Sequence, residues 1–355
     1  MKISKVKVWS ENLALSRPYT IAYRTIENVE NIFVELHTAK GLVGIGAGSP
    51  AIFVTGEDLA GSLALLQTEL PAICEGKDIR HLYEILADVQ QKMKGRPAAQ
   101  AAADIALYDL FAQYMDVPLV KYLGQCHKGL PTSVTIGIMS VAETLAEAKD
   151  WLSQGFKILK VKTGSEVDRD IAVIKKLRET LGYDFGIRVD ANQGYDLAGL
   201  EKFLEGVQEE KLEFVEQPFP RGKFQQLQRA AEHVRLKCAA DEDLHNPKDA
   251  IPLLATPIPY GIFNIKLMKC GGVEPALAIA SMAKYSGLHL MWGCNDESIV
   301  SITAALHTAL ACPATRYIDL DGSLDLAKDV VEGGFILKDG MMYPNEKAGL
   351  GLRRI

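Results

Sequence analysis

Eight ionisable residues of this 355-residue chain stand at the ends of otherwise apolar stretches, where their chemistry would converge. The stretch from Phe156 to Thr163 carries Lys160 and Lys162 two positions apart. Successive strand side chains point to opposite faces, so both lysines project the same way. On an interior face, repulsion and lost hydration would push at least one toward the neutral amine, a base. A Lys-x-Lys pair by itself is more commonly one wet face of an edge strand. Here, however, further apolar stretches end in Asp190, Glu216, Asp241, Lys266 and the pair Asp319 and Asp321. Three converging carboxylates, Asp190, Glu216 and Asp241, would repel unless they share a hard cation such as Mg²⁺, which takes oxygen ligands. No His or Cys clusters with them, which disfavours zinc.

These residues need elements that bring them to one place, and the spacing supplies them. Strand candidates end near Ile138, Lys162, Asp190, Glu216, Asp241, Lys266, Gly293 and Asp319, at intervals of 24 to 28 residues. Amphipathic helical patterns such as Ala142–Trp151 and Asp168–Leu181 fill the gaps. Eight near-equal units predict an α/β fold, a (β/α)8-type TIM barrel, whose active site lies at the C-terminal strand ends. The helix expected after the last strand is replaced by Leu326–Val331 and a glycine-rich tail, so the barrel is of the modified (β/α)7β form. A doubly wound open sheet is disfavoured, because no GxGxxG opens a helix after the first strand.

Ahead of the barrel, residues 1–125 read as an α+β capping domain. Strands at Ile3–Trp9 and Ile32–His37 and a turn and third strand over Gly41–Gly46 precede helices over Asp58–Leu70, Ile79–Lys92 and Ala98–Met115. Tyr19–Thr25 and Pro50–Gly56 are expected as loops over the site. The barrel occupies 126–322, and the tail, 323–355, is expected to return to the capping domain.

In a ring of eight, strands two and six are four apart, so Lys162 and Lys266 would face each other with the carboxylate arc between them. Two such groups can remove a proton from one face of a carbon and return one to the other, which is racemisation or epimerisation. A metal-chelated carboxylate has its α-proton acidified, because the metal stabilises the enediolate that forms. On the other arc Asp319 and Asp321 share a face and suit an ammonium group, which makes a dipeptide a fitting substrate.

Composition narrows the partners. The net charge is -6 and nothing resembles a basic stripe, so nucleic acid is not expected. The most apolar segment, Ile299–Cys312, is interrupted by Ser301, Thr303, His307 and Thr308, so no membrane partner is expected either. The first nine residues alternate like an opening strand and lack the apolar core of a signal peptide. Six cysteines without regular spacing read as reduced thiols, and the expected location is cytoplasmic.

Lys160-Val161-Lys162, Asp190-Ala191-Asn192, Glu216-Gln217-Pro218, Asp241-Glu242 and the Lys266 strand, in this order, resemble the enolase superfamily, muconate-lactonizing subgroup. Within it the chain is similar to the dipeptide epimerases related to L-Ala-D/L-Glu epimerase, over essentially its whole length. The resemblance implies that Lys162 and Lys266 are the acid/base pair, that Lys160 tunes Lys162, and that Asp190, Glu216 and Asp241 bind one Mg²⁺ per active site. Asp319-Leu320-Asp321 resembles the DxD element that holds a substrate α-ammonium. One departure is Asp243, where relatives commonly carry Ser; its side chain either faces outward or tunes the site.

Side-chain preference is expected from the loops. Arg24 resembles the arginine that receives an acidic side chain, whereas Asp296 and Glu297, with Glu27 and Glu30, would attract a cationic one. The Cys294-Asn295-Asp296-Glu297-Ser298 form resembles relatives that prefer Lys- or Arg-containing dipeptides, so cationic dipeptides are expected. Thr135 is a further candidate contact. The alternatives are L-Ala-D/L-Glu epimerase, o-succinylbenzoate synthase or N-succinylamino acid racemase, and a non-catalytic ligand-binding barrel. Expected partners are a dipeptide substrate and further copies of the chain in a homo-oligomer.

Overall fold

A glycine-bearing strand packed on an alanine-rich helix sets the first layer. The computed structural model describes residues 1–21 and 24–355, with side chains described outside 17–26. Strands β1 (Ile3–Ile21), β2 (Arg24–Thr38) and β3 (Val43–Gly48) form an antiparallel sheet in that order. Helices α1 (Leu59–Cys74), α2 (Leu82–Lys92) and α3 (Pro97–Tyr114) follow. A Cβ on Gly46 would stand 1.9 Å from the Ala102 carbonyl oxygen, and one on Gly48 2.2 Å from that of Ala98. Glycine ordinarily weakens a strand; at these positions it admits the backbone of α3. Of the segment Tyr19–Thr25, expected as a loop, the described residues 19–21 and 24–25 instead extend the hairpin. Its backbone pairs Tyr19 with Ile26, Thr20 with Thr25 and Ile21 with Arg24, after a register shift beyond Ala14. Aromatic and β-branched residues there favour extended backbone.

After α4 (Leu119–Leu123) and the short β4 (Leu130–Pro131), eight parallel strands run in sequence order. They are β5 (Val134–Ile136), β6 (Ile158–Lys162), β7 (Gly186–Asp190), β8 (Leu212–Glu216), β9 (Cys238–Ala240), β10 (Ile262–Ile265), β11 (His289–Trp292) and β12 (Thr315–Ile318). The sheet curls until its edges meet. Ser133 N donates to Ile318 O at 3.2 Å, and Thr132 bridges Ile318 in parallel. Helices cover the strands: α5 (Val141–Ser153), α6 (Val167–Leu181), α7 (Leu197–Gly206), α8 (Phe224–Leu227), α9 (Glu232–Leu236), α10 (Pro247–Leu253), α11 (Leu267–Cys270), α12 (Val273–Tyr285) and α13 (Ile299–Ala311). Local signals start them where the alternation stops. At α5 a capping box pairs the Ser140 hydroxyl with Glu143 N and the Glu143 carboxylate with Ser140 N. The barrel and its capping sheet are thus the architecture that the strand periodicity predicts.

Beyond β12 the tail forms β13 (Val331–Gly333), β14 (Phe335–Lys338), β15 (Met341–Pro344) and β16 (Leu352–Arg354). It touches the capping sheet through a Leu15–Leu326 bridge and through an ion pair of Arg354 with Glu35. Asp109 of α3 also accepts Leu350 N at 2.7 Å. All six cysteines are free, and among the described residues no helix is long and apolar enough to cross a membrane.

One clamp joins the capping helices to the barrel. Asp104, buried on α3, accepts Val273 N at 2.6 Å and Glu274 N at 3.3 Å. It thereby caps the N-terminus of α12 from another part of the chain, and burial pushes its pKa well above the ordinary carboxyl value. Asp104→Ala is expected to lower unfolding free energy by about 1–2 kcal/mol, the usual worth of a helix cap. A urea midpoint indistinguishable from the parent would show that the clamp contributes nothing.

Candidate active site

Strand register sets the functional side chains in one row. Lys162 lies opposite Asp190, Asp190 opposite Glu216, and Glu216 opposite Ala239. Asp241 follows Ala239 by two residues and shares its face. Lys266 follows directly on β10 and opens α11. The row therefore reads Lys162, Asp190, Glu216, Asp241, Lys266 around the C-terminal mouth, with the two lysines flanking the three carboxylates.

These groups are largely buried, so the charges pair. Lys162 Nζ is 2.7 Å from Asp190 Oδ2, and Lys266 Nζ is 2.9 Å from Asp241 Oδ2. Lys160 Nζ lies 2.8 Å from Asp319 Oδ2, 2.9 Å from Glu216 Oε2 and 3.3 Å from Asp190 Oδ2. Exposure separates the two strand-mates: 29% of the Lys162 side chain is accessible, against 4% for Lys160. Only Lys162 can meet a ligand, and Lys160 acts through its neighbours.

Of this pair, Lys160 is the one held as an ammonium. Burial disfavours its ammonium, but Asp319, Glu216 and Asp190 outweigh burial and hold its pKa well above the ordinary value. The same balance raises Lys266, where burial is outweighed by Asp241 and Glu216. Burial also opposes the charge of Asp190, yet Lys162 and Lys160 bring its pKa down to about 2. Glu216 goes the other way, to about 7, because burial and the Asp190 charge outweigh its lysine neighbours.

Among the described residues, no three His, Cys, Asp or Glu side chains are gathered closely enough to hold a metal as they stand. Ammonium groups stand on the oxygens of Asp190, Glu216 and Asp241. The donor set nevertheless fits a hard divalent cation. It is all oxygen, buried and aligned on adjoining strands, and Glu216 Oε2 is buried without a hydrogen-bond partner despite its ion pair with Lys160. We propose Asp190, Glu216 and Asp241 as the ligands of such a cation.

The carboxylates after β12 divide into unlike roles. Asp319, expected with Asp321 on a separate arc, is instead drawn into the central network. Its Oδ2 takes Lys160, and its Oδ1 accepts the Ser133 hydroxyl at 2.5 Å. Arg188, buried beneath, donates to Ser133 Oγ at 3.0 Å and Ile318 O at 2.5 Å and pairs with Glu213 at 2.7 Å. Its guanidinium packs over the rings of Tyr317 and Phe214. Burial works against the Asp319 carboxylate, but Lys160, Ser133 and Arg188 outweigh it and keep its pKa below the ordinary value. Asp321 is the more open of the two. It accepts Thr135 N at 2.8 Å, and burial followed by the Asp319 charge raises its pKa to about 7.

Other expected contacts differ in placement. Thr135 pairs with Lys160 in register and serves Asp321 through its amide. Asp296 is partly buried, and its carbonyl accepts the Ser49 hydroxyl at 3.3 Å, which ties the capping domain to the loop after β11. Glu297, expected on the rim, is only 3% exposed and accepts Asn295 N at 2.9 Å. A helix-opening loop satisfies its own amides first, which turns this carboxylate inward. Burial raises its pKa to about 7. The Arg24 side chain lies outside the described residues. Asp243 is resolved as a buried acceptor behind the site, bonded to the Tyr260 hydroxyl at 2.7 Å.

Sequence reasoning missed Lys269, Asn264, Gln217, Ser133 and Arg188. Lys269 is buried with its Nζ on Asp241 Oδ1 and, at 2.7 Å, on the Asp241 carbonyl. Its spacing of three from Lys266 across a helix start was the available signal. Asn264, two before Lys266 on the same strand face, donates to Glu216 Oε1 at 2.7 Å. Lys269→Met would leave Asp241 with one buried partner fewer and is expected to cost about 3 kcal/mol, as measured by urea unfolding. A loss below about 1 kcal/mol would mean that Lys266 alone satisfies Asp241.

Known proteins resemble this chain over nearly its whole length. A family model described as Enolase C-terminal domain-like matches residues 143–353, and one described as Mandelate racemase / muconate lactonizing enzyme, N-terminal domain, matches 3–124. The L-Lys-D/L-Arg epimerase of Desulforapulum autotrophicum is 52% identical over 358 residues, covering 100% of both chains. The crystal structure of a dipeptide epimerase from Methylococcus capsulatus, complexed with Mg and the dipeptide L-Arg-D-Lys, superposes with a TM-score of 0.97 at 51% identity over 99% of each chain. A substrate-liganded complex of the L-Ala-D/L-Glu epimerase from Bacillus subtilis gives a TM-score of 0.93 at 31% identity, again over 99% of each.

Proposed function

The chain belongs to the enolase superfamily, with the mandelate racemase and muconate lactonizing enzyme domain pair, and from that premise we propose that it is a Mg²⁺-dependent epimerase of dipeptides with cationic side chains. The observation that carries the reaction type is the row Lys162, Asp190, Glu216, Asp241, Lys266, in which two amines flank three carboxylates. When bound, Mg²⁺ draws charge from the substrate carboxylate and from its protein ligands, which acidifies the α-proton and loosens the hold of those ligands on the lysines.

The residues of the chain then divide the work. One of Lys162 and Lys266, as the neutral amine, takes the α-proton of the C-terminal residue, and the other, as the ammonium, donates to the opposite face. Lys160 stays charged and closed off, a fixed positive neighbour behind Lys162 that Asp319, Glu216 and Asp190 hold in place. Asp321 is the carboxylate open to the substrate α-ammonium, and Asp319 holds Lys160 in place behind it. Cationic preference is supported by the 51–52% identical relatives named L-Lys-D/L-Arg epimerase, against 32–33% for those named L-Ala-D/L-Glu epimerase. Six free thiols suit a reducing compartment, so we place the enzyme in the cytoplasm, as a homo-oligomer whose mass light scattering reads directly.

A dipeptide library incubated in deuterium oxide tests the assignment. Deuterium is expected at one carbon, the α-carbon of the C-terminal residue, and fastest for Lys- and Arg-containing dipeptides. Uptake confined to acidic dipeptides would move the assignment to the L-Ala-D/L-Glu type, and no uptake at all would leave a ligand-binding barrel.

Lys162→Ala and Lys266→Ala are each expected to lower epimerisation by about 10³-fold. Each should still exchange the α-proton of one diastereomer, and retained turnover in both variants would rule out two-base transfer. A further expectation follows from Asp321, whose raised pKa leaves more of the carboxyl protonated near neutrality. Below about 7 it is neutral and attracts an ammonium poorly. kcat/KM should therefore fall as pH drops through about 7, and Asp321→Asn should remove that step while lowering kcat/KM by roughly 10-fold to 100-fold. An unchanged acid limb in the variant would assign the titration elsewhere.

A further inference from the structure

We infer that Gln217 is the positioning residue that holds the three proposed metal ligands in register, and that Asp243 fixes the orientation of its amide. The inference rests on Asp190, Glu216 and Asp241 as ligands of the cation. Gln217 immediately follows Glu216, is fully buried, and has a φ of 34°, a backbone conformation that non-glycine residues adopt only under constraint. Its backbone ties two neighbouring strand ends. Gln193 N, in the loop that follows Asp190, donates to Gln217 O at 2.8 Å, and Gln217 N donates to Ala239 O at 2.9 Å. Its side chain reaches the third ligand, because Oε1 accepts Asp241 N at 2.9 Å and Asp243 N at 3.2 Å. Gln217 thus belongs to the strand end that carries Glu216 and hydrogen-bonds to the two that carry Asp190 and Asp241.

That service depends on which way the amide points. The two backbone N–H groups can be satisfied only by an oxygen. The opposite amide edge must therefore find acceptors, and it does. Nε2 donates to Phe219 O at 2.9 Å and to Asp243 Oδ2 at 3.1 Å. Asp243 is itself fixed by the Tyr260 hydroxyl on Oδ2 at 2.7 Å and by Gly222 N on Oδ1 at 2.6 Å. Both its oxygens face donors. This gives Asp243 a definite place behind the site.

The test is a swap, read as Mg²⁺ affinity of the metal-free protein by titration calorimetry, with circular dichroism to confirm the fold. Gln217→Glu sets carboxylate against carboxylate, and Asp243→Asn sets amide N–H against N–H. The double variant restores donor to acceptor at unchanged net charge. Positioning predicts that both single variants weaken Mg²⁺ binding by about 10-fold or more, as loss of a partner behind a metal ligand does. The double variant should return to within about 3-fold of the parent. A purely electrostatic effect would tighten binding in Gln217→Glu and weaken it in Asp243→Asn. Such opposite shifts, unchanged affinity in both single variants, or additive loss in the double variant would overturn the inference. Should Gln217→Glu not fold, the neutral Gln217→Met takes its place. It cannot accept the Asp241 and Asp243 amides, and unchanged affinity there would also overturn the inference. Asp241→Asn, titrated in parallel, tests the ligand assignment itself. Full affinity in that variant would remove the metal reading, whereas lost affinity there with unaffected Gln217 and Asp243 variants would remove only the positioning role.

Discussion

A charge taken out of water must be paired, and the barrel mouth of this protein is organised by that requirement. Asp190, Glu216, Asp241 and Asp319 are almost wholly buried, as are Lys160 and Lys269. Isolated, any of them would be expensive to bury or would change its protonation state. Parallel pairing sets Lys162, Asp190 and Glu216 side by side, so opposite charges find one another across neighbouring strands. The same crowding makes the site chemically useful. Groups held at a common height with little water between them respond strongly to a bound cation or a substrate carboxylate.

Below that layer a polar chain runs along the barrel. Glu213, Arg188, Ser133, Asp319 and Lys160 follow one another by hydrogen bond or ion pair. Arg188 also donates to Ile318 O, the carbonyl at the seam where β5 and β12 meet. Closure of the barrel and the placement of Lys160 are therefore one structural event. The capping domain is fastened separately, by Asp104 on the N-terminus of α12 and by Ser49 on the loop after β11.

Much of this was legible before any coordinates. A strand-end spacing of 24 to 28 residues announced the barrel, and the period of two placed Lys160 with Lys162 on one face. Less legible were the residues that act on others. Gln217 is of a type common in any strand-end loop, and Lys269 and Asn264 carry only their spacing from Lys266 as a signal. The same limit applies to residues 19–21 and 24–25, where irregular composition suggested a loop and backbone pairing made strand. It applies again to Glu297, whose acidic type suggested the rim while its local amide partner turned it inward.

Periodicity and strand order, local properties that add up to a topology, were enough to specify the architecture, the row of carboxylates and the two flanking lysines. What each charge does follows from how the chain packs in three dimensions. Lys160 and Lys162 are identical in type, strand and face, yet Lys160 is enclosed by Asp319, Glu216 and Asp190 whereas Lys162 keeps an open side. Asp319 and Asp321 likewise share a face, and only the closure of β12 against β5 turns one toward Lys160 and leaves the other to the mouth. The protonation and reach of a buried group depend on neighbours remote in the chain, here up to 186 residues apart, and strand spacing carries no record of them.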